Sequence, residues 1–182
     1  MLMRLLRALA TTAAGVWLGG MVLIAIVAQT TFSQMREVGV AQPNAIAGRI
    51  MAVNFSRFDV MQMVCAVVLV VWQAARLLSG RRGLGDWLRA AAILAAVSLL
   101  AYSTQVLTPR ILSLQGAVAG TDAETKARVV FEAFHHSAVR VSKANLVLVM
   151  GIVLSLAWGR GDNTGEVERR RATIGGKDEE KA

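Results

Sequence analysis

The chain has 182 residues, 55% of them hydrophobic and only 18% charged, with a formal net charge of +8 and a mean hydropathy of +0.51. Soluble domains carry about a quarter charged residues, so this composition argues against a water-soluble bundle. The basic excess lies beside apolar segments with no aromatic-and-basic reading surface, which argues against nucleic acid and points to the lipid bilayer as the partner.

The charges leave four long gaps. Arg7 and Arg36 enclose 28 uncharged residues and Arg89 and Arg110 enclose 20, while Asp59 to Arg76 and Lys143 to Arg160 enclose 16 each. A membrane-spanning helix takes about 20 apolar residues, and the two shorter gaps reach that length if their flanking charges snorkel. Four transmembrane helices are therefore predicted, over 9–32, 57–76, 88–107 and 140–159. "GVWLGGMVLIAIVA" and "AAILAAVSLLAYSTQVL" are apolar around most of the helical circumference, where a soluble helix would keep a polar face. The fold class is an all-α, integral membrane four-helix bundle.

The start, "MLMRLLR", is basic, but the apolar run behind it is longer than the roughly 7–15 residues of a signal-peptide core. It reads as an uncleaved first helix. Within it Gly15 and Gly19 form a GxxxG spacing with Gly20 adjacent. Such a face admits another backbone closely, as a seam within the four helices in preference to a homodimer contact.

The first loop turns at Pro43-Asn44. Ala45, Ile46, Ile50, Val53 and Phe58 then approximate a helical apolar face, which predicts an extra interfacial or re-entrant helix leading into the second span. In that span "FDVMQMVC" sets Met61 and Cys65 four residues apart, a soft pair that suits Cu(I), although methionines in membrane helices are mostly packing. Cys65 is the single cysteine, so no internal disulfide forms.

The third loop is predicted to open at Pro109. "TDAE" at 121–124 is a capping-box pattern, and from there one long fourth helix of about 37 residues, near 55 Å, runs to Trp158. Residues 1–159 form the transmembrane domain, and 160–182 are predicted to be a disordered tail. The N-terminus, the second loop and the tail hold twelve Lys and Arg, against eight in the first and third loops. "RLLSGRRGLGDWLR" is the densest stretch. Both termini are predicted to be cytoplasmic, in an inner or plasma membrane.

Both histidines lie in "FEAFHHSAVRVSKANL", at the predicted outer boundary. His135, Ala138, Ser142 and Asn145 make a small, polar stripe suited to packing. Glu132, His136, Arg140 and Lys143 make an interfacial one. "EAFH" matches the Glu-x-x-His of di-iron bundles, but in one copy, with no intramembrane glutamate to complete the set. A haem would need histidines on two facing helices. No cofactor is predicted, and Met61, Cys65 and His136 remain the weak metal-ligand candidates. His136, with Arg110, is expected to rim an outward-facing vestibule, with His135 and Glu132 beside it. Asp59, Gln62 and Asn145 complete the candidate polar site.

"WLGGM", "AGRIMAVNFSRFDVMQMVC", "YSTQVLTPRI" and "FHHSAVRVSKAN" together resemble the domain-of-unknown-function 4149 family, which is related to the transmembrane protein 205-like proteins. The resemblance covers nearly the whole chain except the tail. It implies family-like positions for Trp17, Gly19, Gly20, Gly48, Phe55, Gln62, Tyr102, Pro109, Arg110, His136, Ser137 and Asn145. The chain departs from the family pattern after the first helix, where "AQTTFSQM" lacks a proline, and it has two adjacent histidines where one would do. The resemblance implies a four-helix membrane protein and no settled activity.

No nucleophile–base pair, glycine-rich phosphate loop or zinc spacing is present in the sequence, so catalysis is not the favoured function. The sequence points to small-solute or metal-ion handling, or to an accessory subunit of a membrane complex. The alternative is a membrane redox protein or metalloenzyme using His136 as a metal or haem ligand.

Overall fold

The computed structural model describes residues 2–39, 42–80, 83–117 and 124–158. These residues form α1 (Leu2–Glu37), α2 (Pro43–Leu78), α3 (Leu84–Tyr102), a π-helical turn (Ser103–Leu107), α4 (Thr108–Ala117) and α5 (Glu124–Trp158). No strand occurs among them. Four segments are long and apolar enough to cross a membrane: Leu2–Glu37, Pro43–Leu78, Leu84–Leu114 and Arg128–Trp158. The chain runs up and down as a four-helix bundle. α1 packs on α2 and α5, and α3 packs on the same two helices.

The helices outrun the predicted spans. α1 and α2 have 36 residues each, about 54 Å at 1.5 Å per residue, against a hydrocarbon layer of about 30 Å. The extra helix expected in the first loop is not a separate element, because Pro43 to Leu78 is one continuous helix. Pro43 stands at its first position, where the missing N–H is an orphan in any case and the fixed φ already suits a helix. Nor does the third loop open at Pro109. Helical structure continues to Ala117, and the π turn immediately before the proline explains how. In a regular α-helix Pro109 would offer no N–H to the Gln105 carbonyl and its ring would crowd that oxygen, and a wider turn relieves both defects. The long fourth helix is present from Glu124 to Trp158. Its predicted capping box lies mostly outside the described residues, as does the tail from residue 160.

The ends of the bundle differ. The terminal end holds the start of α1, the α2–α3 link and the last turn of α5. The loop end holds the other two links. Gly39 (φ +69°) and Gly80 (φ +80°) follow α1 and α2 in the left-handed conformation that glycine adopts without strain.

One apolar cluster occupies the terminal half: Ala10, Ala14 and Trp17 of α1, Cys65, Leu69 and Trp72 of α2, Ile93, Ala96 and Leu100 of α3, and Val149, Ile152 and Leu156 of α5. Toward the loop end burial thins. No described residue of α1 beyond Trp17 is buried, nor any described α5 side chain before Asn145, while α2 retains Ala47, Gly48 and Met51.

The expected glycine seam is shifted by one residue. A Cβ on Gly15 or Gly19 would meet nothing within 4 Å, whereas one on Gly20 would meet Met61 Cε and Phe58 Cε2 at 2.6 Å. Successive helical positions point about 100° apart, so the neighbour of a GxxxG pair faces α2 while the pair itself faces outward.

Candidate functional site

Two polar constellations stand out, one in the middle of the bundle and one at the terminal end. In the middle, the Trp17 indole N–H donates to Gln62 Oε1 at 2.9 Å, both side chains being buried. Asn145 is 3% exposed, and its Oδ1 has no hydrogen-bond partner. Asp59, one turn from Gln62 toward the loop end, is half-buried on α2.

The loop-end residues are open. His135 and His136 are both exposed. His135 stacks on Phe131 one turn back, with ring centroids 6.0 Å apart, instead of lying in a packing seam. Glu132 pairs with Arg128 at 3.2 Å, an exposed contact within one helix. The Arg110 guanidinium lies over the Phe134 ring, 5.5 Å from its centroid, and this joins α4 to α5 two residues before His136. Met61 packs against Gly20, while Cys65 sits in the apolar cluster. Among the described residues no three of His, Cys, Asp or Glu come together as a metal-ligand set.

At the terminal end the structure assembles a group that sequence reasoning treated only as orientation charges. Arg76 Nε donates to Asp86 Oδ1, and Arg89 Nη1 donates to the same oxygen at 3.4 Å. Asp86 Oδ2 accepts from the Gly83 N–H at 3.2 Å, as suits a carboxylate in the first turn of a helix. Arg89 also donates to Ser155 Oγ at 3.0 Å and to the Ser155 carbonyl at 3.2 Å, and its guanidinium lies 5.4 Å from the Trp72 ring centroid. Arg7 Nη2 donates to the Leu156 carbonyl at 3.0 Å. The last carbonyls of a helix lack intrahelical partners, so Arg7 and Arg89 cap the negative end of α5. Gln73 Nε2 holds the Asp86 carbonyl at 2.7 Å, while its Oε1 is buried without a partner.

These contacts leave a partly open cleft of about 20 Å³ lined by Arg7, Trp72, Arg76, Arg89, Ser155 and Leu156. The visible signal was an acid inside the densest basic loop, together with arginines at the edges of three spans. Which of them converge depends on how the helices face one another, and charge spacing does not carry that.

Long apolar helices, an apolar core in one half and polar side chains at both ends define a multi-pass integral membrane protein of the four-helix class. The chain matches the family "Domain of unknown function (DUF4149)" over residues 12–119 and belongs to it. Trp17, Gly20, Gln62, Pro109 and Arg110 fall inside the matched region, and His136, Ser137 and Asn145 lie beyond it. No curated protein and no solved structure matches the chain.

Proposed function

We propose that the protein handles a small polar solute or ion in the loop-end half of its bundle. That half faces outward, and both termini are in the cytoplasm of a cell whose inner or plasma membrane holds the protein. The observation that carries this reading is Asn145. Among the described α5 side chains it is the first buried one met from the loop end, and its amide oxygen has no partner. A buried acceptor left unmade costs about 1–3 kcal/mol, a penalty relieved when a bound solute donates to it. In this reading the half-buried Asp59 on α2 and the exposed His136 toward the loop end, with Arg110 stacked on Phe134, are the other polar groups a solute would meet, while Gln62 is held by Trp17. The twelve-to-eight split of Lys and Arg supports the orientation.

The test is complementation of a deletion strain, with folded, inserted protein measured alongside. His136→Ala should lose function at normal abundance, whereas His135→Ala should follow its own abundance. Loss in strict proportion to abundance for both would leave the vestibule without support. The reading requires no cofactor. A Soret band or stoichiometric metal in purified protein would move it to the redox alternative, with His136 as ligand.

A second reading, an accessory subunit of a membrane complex, draws on Ile46, Ile50 and Val53 of α2 and Val129 of α5. These residues are 40–64% exposed, on helix ends that project past a 30 Å layer. Protein purified from native membranes should then carry a stoichiometric second chain that Ile50→Gln releases. A chain isolated alone counts against it.

A further inference from the structure

We propose that the terminal end binds a phosphate group, with Arg7, Arg76 and Arg89 as its ligands. Arg76 and Arg89 share the Asp86 carboxylate and Arg7 lines the same cleft as both, so these described side chains carry a surplus of two positive charges. Arg89 is fixed: its side chain is 12% exposed, it is held by Asp86 and Ser155, and it stacks on Trp72. Arg7 and Arg76 are fixed by one contact each. A guanidinium carries five N–H donors, so most of theirs remain for a ligand. Capping α5 and pairing with Asp86 use only part of this donor capacity, and all three arginines line the same cleft.

The cleft is sized for one or two oxygens of a larger group, the remainder staying outside. Planar guanidinium forks match phosphate oxygens in pairs. Depth favours a phosphate. Trp87 and Trp158, 54% and 81% exposed, stand in the first turn of α3 and at the last residue of α5. Exposed tryptophans of membrane helices mark the headgroup level, and basic pockets between helices at that level take anionic headgroups. The phosphate belongs either to an acidic phospholipid of the adjoining leaflet or to a free anion. This site lies at the opposite end of the bundle from the proposed vestibule, so either can fail alone.

The experiment uses the full chain in a neutral detergent and follows its thermal midpoint. Three probes are titrated: dihexanoyl phosphatidylglycerol, dihexanoylglycerol (which lacks the phosphate) and inorganic phosphate. Phosphatidylglycerol should raise the midpoint saturably and dihexanoylglycerol should not. An equal rise from inorganic phosphate alone assigns the site to a free anion, and its absence assigns the site to lipid. Arg7→Gln and Arg76→Gln should each weaken the apparent affinity about tenfold. Arg76→Lys should recover part of the loss, and Arg49→Gln on the far half of α2 should change nothing. The readout is affinity and not the starting midpoint, so a variant that begins less stable still reports. The proposal is overturned if no phosphate-bearing probe shifts the midpoint, if dihexanoylglycerol shifts it equally, or if the two glutamine variants bind like the parent.

Discussion

Trp17 donates its indole N–H to Gln62 across the α1–α2 interface at 2.9 Å, at the inner limit of the apolar cluster. The bond ties the first two spans together in a layer where neither group meets water. Gln62→Leu leaves the indole N–H unmade, and Trp17→Phe leaves the amide oxygen unmade. Each should lower stability by about 1–3 kcal/mol, and the double variant should lose less than the sum. Reversible unfolding in detergent of the three variants measures this.

Close approach at Gly20 makes a second, sharper expectation. Gly20→Ala drives a methyl group into Phe58 and Met61 and should lower stability by about 1–3 kcal/mol through overpacking. Gly19→Ala has open space and should be neutral or slightly stabilising, because alanine is the better helix former. Equal losses at the two positions, read from thermal unfolding, would mean that the pairing of α1 and α2 is rotated from the one described.

The two ion-pair groups should differ in weight. Asp86, its side chain 8% exposed, serves two arginines, and Asp86→Asn should cost about 1.5–3 kcal/mol, as for hydrogen bonds to a charged group. The Arg128–Glu132 pair is 69% and 55% exposed, and Glu132→Gln should change stability by under about 0.5 kcal/mol. Denaturant midpoints of the two variants give the comparison.

Much of this architecture is legible in the sequence. The four spans follow from the charge gaps, and the long α5 from an unbroken helical pattern. What is not legible follows from physics that spacing does not encode. The projecting half of α2 carries Arg49, Arg57 and Asp59, so by charge alone it reads as a loop with a short helix. Pro109 reads as a terminus, because nothing local announces a π turn. Gln62 and Asn145 are marked as polar residues in apolar surroundings, yet only packing shows that the amide oxygen of one accepts from Trp17 and that of the other has no partner. Arg7, Arg76 and Arg89 read as orientation charges, and their convergence appears only once three helix ends are placed together.

Orientation is directly measurable, since the native Cys65 is buried. In a Cys65→Ser background, cysteines near Gly83 and near Asn163 should be shielded from an impermeant thiol reagent in intact cells. One near Gly120 should react. Labelling at Gly83 without labelling at Gly120 would invert the bundle and place the loop-end half inside.

The most direct test of the proposed function is Asn145→Leu, with stability and activity measured on the same preparation. If the unpartnered amide is kept for a solute, replacing it by an apolar side chain removes a buried unmade acceptor. Stability should then rise by about 1–3 kcal/mol while complementation of the deletion strain is lost at undiminished abundance, the trade-off expected where a strained group serves function. A variant that is less stable than the parent, or that is more stable and still complements fully, would contradict a solute site at Asn145.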